Sequence, residues 1–162
     1  MSETDYSIRA ATQDDVPLLL CFIRELAEYE HLLDNVVATE EILTDWIFVQ
    51  HSAQAIIAER DGEPLGFALY FYNFSTFLGR AGLYLEDLYV RPPARGLGIG
   101  KALLRALARI AVEEGCGRLE WACLDWNRLS IEFYLSLGAQ PQQDWTTYRL
   151  QGDTLTALAQ SN

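Results

Sequence analysis

Three observations predict an α/β fold for this chain, a mixed sheet carrying helices on its faces. Short apolar runs of strand character are interleaved with segments of helical period. One of them, Tyr84-Leu-Glu-Asp-Leu-Tyr-Val90, runs into the glycine-rich turn Arg95-Gly-Leu-Gly-Ile-Gly100, which opens the clearest helical pattern in the sequence. The 162 residues are 50% hydrophobic, enough for one domain over 1–162 to bury its own core.

Taken in order, Tyr6 to Arg9 reads as a first strand. Thr12 is placed to cap the next helix, with Asp14 and Asp15 at its positive dipole end. Val16, Leu19, Leu20, Ile23, Leu26 and Ala27 recur at helical spacing, which carries that helix to about Tyr29. Leu33 to Val37 is a connection, and Thr39 precedes a second helix ending near Ile47. Ala53 to Glu59 and Leu65 to Tyr72 form a hairpin across the tight-turn pair Asp61-Gly62. Asn73 to Arg80 is expected to be a loop and Gly82 to Val90 a strand that Pro92-Pro93 stops. Gly98 to Glu114 is a helix with Ile99, Leu103, Ala106, Leu107, Ile110 and Ala111 on one face, ended by Gly115 and Gly117. Leu119 to Leu124 reads as a buried strand. Asn127 or Ser130 starts a helix through Leu137, with Gly138 in the left-handed cap position. Trp145 to Leu150 is expected as a closing strand, and the tail from Gln151 has a weak helical pattern. The resulting order is β-α-α-β-β-β-α-β-α-β.

The net charge is -11, from 23 acidic and 12 basic residues. Such a surface repels nucleic acid and anionic membranes, and it draws cations. Cys21, Cys116 and Cys123 are odd in number and widely spaced, which argues against a disulfide framework. Cys21 and Cys123 sit in apolar runs and read as core thiols. With no Cys-x-x-Cys and only His31 and His51, no metal site is expected. Met-Ser-Glu-Thr-Asp lacks the basic and apolar regions of a signal peptide, and no apolar stretch approaches the ~20 residues that span a bilayer. A cytoplasmic location is the expectation.

In Arg95-Gly96-Leu97-Gly98-Ile99-Gly100-Lys101, side chains are absent where a ligand would approach the backbone. The helix that follows offers free N–H groups and a partial positive charge, which suit a pyrophosphate. Arg95 and Lys101 add charge. The spacing is neither Gly-x-Gly-x-x-Gly nor Gly-Lys-Ser/Thr, because Ala102 follows Lys101. By pattern alone, a plain turn before a surface helix fits equally well.

Arg-x-x-Gly-x-Gly between a strand and an amphipathic helix resembles the acetyl-coenzyme A motif of the GNAT N-acetyltransferase superfamily. The stretches Tyr84-Leu-Glu-Asp-Leu-Tyr-Val90, Asp125-Trp-Asn-Arg-Leu-Ser-Ile-Glu-Phe-Tyr134 and Glu25-Leu-Ala-Glu-Tyr-Glu30 look like the spermidine/spermine (diamine) and thialysine N-acetyltransferase branch. The similarity runs from Ile8 to Arg149. It implies a GNAT-type mixed, mostly antiparallel central sheet flanked by helices, acetyl-CoA as co-substrate, and a homodimer. It also implies that Arg95, Gly96, Leu97, Gly98, Ile99, Gly100 and Lys101 hold the pyrophosphate, and that the backbone of Leu88, Tyr89 and Val90 pairs with the pantetheine arm. Asn127 is a further cofactor contact whose amide equally suits a helix cap; Ser130 and Arg128 are weaker ones.

Acetyl transfer to an amine needs a held thioester, a neutral amine and a proton for the departing thiolate. A Lys-like amine is mostly ammonium at neutral pH, and a gap of about 3.4 units costs roughly 4.6 kcal/mol to deprotonate. A carboxylate can bind the cation and help remove its proton. Glu86 and Asp87 are the candidates, with the larger role given to Glu86. As neighbours in a regular strand they face opposite sides, and a local bulge would let both reach one cleft. Either is also readable as a solvated strand residue. Tyr134 matches the family's catalytic tyrosine, and a phenol that stays protonated at neutral pH can donate to a thiolate. Its spacing beside Phe133 also suits a packed aromatic. Tyr29 and Glu30 fall where the family places part of its amine site, and Trp126 and Tyr84 could flank an alkylamine.

The expected reaction is direct acetyl-CoA-dependent N-acetylation of a small polyamine, a diamine or a lysine-like amino acid of thialysine type. Acetylation of a protein or peptide amine, and a non-catalytic acyl-CoA-binding module, are the alternatives. The chain departs from the polyamine enzymes in the short loop near Asp61 and in the tail after Arg149, which bears on the substrate rather than on the reaction.

Overall fold

The computed structural model describes residues 5–162; Met1–Thr4, on which part of the signal-peptide reading rests, lie outside the described residues. Two compact units meet in sequence at Ala122 and Cys123.

The first unit holds a five-stranded sheet in the order β1-β2-β3-β4-β5. Its strands are β1 (Ser7–Ala10), β2 (Gln54–Arg60), β3 (Glu63–Ser75), β4 (Arg80–Val90) and β5 (Leu119–Trp121). The first four pair antiparallel and β5 runs parallel to β4. The β2–β3 connection is the expected two-residue turn: Asp61 and Gly62 have φ of 50° and 79°, the left-handed values that a type I′ turn requires. The β3–β4 hairpin is longer than expected. Asn73–Ser75 and Arg80 belong to its strands, because cross-strand pairs such as Asn73↔Gly82 extend the ladder beyond the apolar run.

The helix α1 (Val16–Tyr29) starts from a short 3-10 turn at Gln13–Asp15. Its start is fixed by the Asp15 carboxylate, which accepts from the Thr12 N–H at 2.7 Å. The second helix, α2 (Glu40–Leu43), is capped by the Thr39 hydroxyl and widens into a π-helical turn at Thr44–Val49. The third, α3 (Ile99–Glu113), buries Ile99, Leu103, Leu104, Leu107 and Ala111.

The strand pattern explains why helices cover both faces. β2 and β3 are buried almost without interruption over Ala55–Ala58 and Leu65–Tyr70, which excludes a face open to water. Leu19 and Phe22 of α1 close over Ile57, Phe67, Leu69 and Tyr89. The rings of Phe22 and Phe67 stack 5.0 Å apart. Ile56, Ala58, Ala68, Leu83 and Leu85 alternate to the other face and are buried too. Gly66 is required where β3 passes β4, since a Cβ there would stand 2.5 Å from the Tyr89 carbonyl oxygen.

The second unit, residues 123–162, contains α4 (Arg128–Ser136) and α5 (Gly152–Gln160). Gly138 ends α4 at φ 89°, as the sequence predicts. Two strand expectations fail. Trp145–Leu150 forms no strand, and Trp145 and Tyr148 stand exposed. The β5 strand stops at Trp121 and is half-buried rather than buried. Apolar alternation marks strand capacity, but a ladder needs a partner, and the described chain supplies none to 145–150. Cys21 is exposed and Cys123 half-buried, so the core-thiol reading fails for Cys21. Cys21 lies on the outer side of α1, where its Sγ meets Glu25 at 3.3 Å.

Candidate active site

In β4 the strand changes phase. Leu69 pairs with Asp87, but Tyr70 pairs with Leu85, so Glu86 is the extra residue of a β-bulge. In a regular strand Asp87 would share the face of Leu85. The bulge instead turns Asp87 onto the face of Leu69 and Tyr89, the face that α1 covers. A bulge at this point is the condition named above for both carboxylates to reach one cleft. Which carboxylate ends up deeper is not legible in the sequence.

Asp87 is half-buried where Glu86 is exposed, and burial first, then the Glu86 and Glu30 carboxylates, push its carboxyl up to about 7. Glu30 caps the C-terminal end of α1; burial raises its carboxyl as well. Thus Glu30 and Glu86 both act on Asp87. Among the described residues none of the three makes a salt bridge with Arg, Lys or His. Tyr84, one turn of strand earlier, has its ring 5.1 Å from Phe71. Its phenol is raised by burial and by Glu86 and Glu120.

The β4–β5 pairing ends at Leu85↔Trp121. From Glu86 to Val90 the β5 side of β4 is therefore unpaired by strand, while its other side stays on β3. Within this stretch Leu88 and Val90 are half-buried. Tyr89 is a core residue whose hydroxyl donates to Glu25 at 3.3 Å.

The glycine turn follows a 3-10 turn at Pro92–Ala94. Gly96 and Gly98 have φ of 85° and 78°, and an added Cβ at either would meet nothing within 4 Å. The two glycines are thus needed for backbone conformation, and the space above them is open. Gly100 lies inside α3, where an added Cβ would stand in ordinary contact with Val90 Cγ2 at 3.8 Å, so it shares neither feature. Gly98 is the N-cap of α3, a helix of 15 residues whose first-turn N–H groups have no intrahelical partner. Leu97 is half-buried, Ile99 is anchored in the core, and Lys101 is exposed. An exposed glycine turn with open space before a long helix fits a pyrophosphate.

Arg95 is not simply aimed outward. Its guanidinium lies 5.2 Å from the Tyr29 ring centre and 5.9 Å from that of Tyr89. Its Nε donates to the Val90 carbonyl at 3.0 Å. No sequence signal links Arg95 to Tyr29, which is 66 positions away along the numbering (95 − 29).

The remaining candidates lie in the second unit. Asn127 Oδ1 accepts from the Ser130 N–H at 3.3 Å, which makes Asn127 the N-cap of α4. Tyr134 lies nearly two turns further on, with its ring 5.6 Å from that of Phe133. Arg128 and Trp126 are exposed. Among the described residues no cluster of His, Cys, Asp and Glu is arranged to hold a metal ion. No helix there is long and apolar enough to cross a membrane.

A helix-covered mixed sheet whose β4 edge lacks a strand partner beyond Leu85 among the described residues, next to a glycine turn suited to a phosphate, marks an α/β protein that takes a phosphate-bearing ligand. The model of the acetyltransferase (GNAT) family matches residues 21–139, so the chain belongs to that family and is an N-acetyltransferase. Thialysine N-epsilon-acetyltransferase of Bos taurus is 40% identical over 164 residues, covering 94% of this chain and 96% of the relative. L-ornithine N5-acetyltransferase NATA1 of Arabidopsis thaliana is 33% identical over 201 residues, covering 96% and 88%. The V. cholerae integron cassette protein VCH_CASS6 superposes with a TM-score of 0.81 at 31% identity, covering 98% of this chain and 99% of that one. Enzymes of this family use acetyl-CoA as co-substrate and an amine as acceptor.

Proposed function

We propose that this chain, as one acetyltransferase domain over 1–162, acetylates the terminal primary amine of a small cationic substrate. The substrate is a lysine-like amino acid of thialysine type, a diamine or a polyamine. The observation that carries this reading is the Glu30, Glu86 and Asp87 group, which has no protein cation among the described residues. Such a group favours an ammonium ligand, because a positive charge relieves both burial and mutual repulsion. The names of the bovine and Arabidopsis relatives point the same way.

Acetyl-CoA supplies the acetyl group as a thioester. Gly96, Leu97, Gly98, Ile99, Gly100 and Lys101 would receive its pyrophosphate at the start of α3, with the unpaired stretch Leu88–Val90 beside the pantetheine arm. Glu86 takes the amine proton, directly or through water, while Asp87 and Glu30 hold the cation. Tyr29 lines the same end of α1. Tyr134 holds the proton for the departing thiolate, a role that rests on its match to the family's catalytic tyrosine. Asn127 and Ser130 are assigned to the cofactor on the same basis. No metal takes part in this reading, and the cytoplasm is the assigned location. A homodimer is included, for which the exposed Phe74, Phe77, Trp145 and Tyr148 are candidate contacts; sedimentation at two concentrations tests it.

The deciding experiment compares kcat/KM for thialysine, lysine, ornithine, diaminobutyrate, spermidine, spermine and a lysine peptide with acetyl-CoA. A small amine should win. A peptide preferred by orders of magnitude would overturn the small-amine reading. In the same assay Tyr134→Phe should lower kcat about a hundredfold with little change in coenzyme A affinity; full activity would remove Tyr134 from the mechanism.

A further inference from the structure

The cofactor turn and the amine end of α1 are joined by one side chain. Arg95 leaves the loop between β4 and α3, spans the end of β4 and lies against Tyr29, the last residue of α1. Three contacts fix it: the Tyr29 ring, the Tyr89 ring and the Val90 carbonyl. The arrangement is anchored below as well. The Tyr89 ring meets Phe22 edge-on, with centres 6.2 Å apart, and the Tyr89 hydroxyl reaches Glu25. Glu30, whose charge acts on Asp87, follows Tyr29 directly.

We propose that Arg95 is a positioning residue that couples the two substrates, holding the C-terminal end of α1 to the cofactor turn through the Tyr29 ring. A plain pyrophosphate contact would leave the guanidinium free in the cleft. Here the exposed guanidinium already lies over two aromatic rings and spends its Nε on the Val90 carbonyl, and its terminal nitrogens remain for an anion. A guanidinium stacked on a ring retains its in-plane donors, so both tasks fit one side chain. Ordering of the turn by the cofactor then also orders Tyr29 and sets Glu30 opposite Asp87. The inference about Glu30 rests on the amine reading given above; the tie between Arg95 and Tyr29 does not.

The test measures coenzyme A binding by calorimetry with no amine present. Wild type, Arg95→Gln, Tyr29→Leu, Tyr29→Phe and the Arg95→Gln/Tyr29→Leu double variant are compared, each checked for a native melting transition. Tyr29→Leu should weaken coenzyme A about fivefold, about 1 kcal/mol. Tyr29→Phe, which keeps the ring face, should restore the affinity lost in Tyr29→Leu. The double variant should be no weaker than Arg95→Gln alone. Wild-type affinity in Tyr29→Leu, or strictly additive effects in the double variant, would overturn the coupling. If the coupling holds, Arg95→Gln should also raise the amine KM with kcat little changed. An unchanged amine KM beside an intact Arg95–Tyr29 effect would refute the Glu30 part alone. A wild type that binds no coenzyme A would sink the cofactor reading and the proposal together.

Discussion

Two sets of carboxylates in the first unit use the same residue types and meet opposite fates. On one side, Arg9 grips Asp15 with both terminal nitrogens at 2.7 and 2.8 Å and reaches Glu59 at 3.1 Å. Arg91 likewise holds Glu25 at 2.9 Å, with its guanidinium 4.7 Å above the Phe22 ring. The Arg9 guanidinium holds Asp15 down at about 2, and Arg91 lowers Glu25. On the other side, Glu30 and Glu86 lie within electrostatic reach of Asp87 with no arginine partner among the described residues, and Asp87 rises to about 7. Proximity alone thus does not make an acidic site. A carboxylate whose cation is built in contributes to the fold, and one whose cation is missing is left for a ligand.

The sharpest way to break this contrast is to neutralise each set in turn. Glu86→Gln should lower kcat/KM for the preferred amine about a hundredfold, while coenzyme A affinity stays within about twofold. A near-normal rate would return Glu86 to the role of a solvated strand residue. Asp15→Asn should leave the rate of the folded enzyme intact. It should cost about 2 kcal/mol of stability, roughly a 5 °C drop in melting temperature by calorimetry.

A smaller effect separates the two sets by sign. Asp15 titrates lower in the folded chain than when unfolded, so its contribution is present above about pH 4 and is lost as pH falls towards 2. Asp87 titrates higher when folded. Its relative contribution is full below about pH 4 and is lost as pH rises through about 7. Denaturant melts should therefore show Asp87→Asn gaining on wild type as pH rises from about 4 to 7, while Asp15→Asn falls behind as pH rises from about 2 to 4. Parallel pH curves for the two variants would erase the distinction. The least effect is on the rate profile, where wild-type kcat/KM should carry a shoulder near pH 7 that Asp87→Asn lacks.

The fold was legible wherever local rules agree with packing. Asp61-Gly62 forced its turn because both residues tolerate positive φ. The α3 stripe was plain because Leu103 and Leu107 recur one turn apart beneath a glycine start. The strand expected at Trp145–Leu150 shows the limit, since pairing is a property of a partner and cannot be read from one segment. The site was legible in its parts but not in its wiring. Glu86, Asp87 and the glycines announce themselves by residue type. The depth of Asp87 depends on a ladder pairing with Leu69, and the seat of Arg95 depends on two tyrosines from distant elements.

The single extra residue at Glu86 acts on β4 like a vernier. Upstream of it, odd-numbered side chains belong to one layer; downstream, odd-numbered side chains belong to the other. Excising that one position would set Asp87 directly after Leu85, in the layer it already occupies opposite Leu69, so the ladder would close without the bulge and without the Glu86 carboxylate. A one-codon deletion there should therefore lower the melting temperature less than deletion of the regularly paired Leu83, which would move its neighbours to the wrong layer.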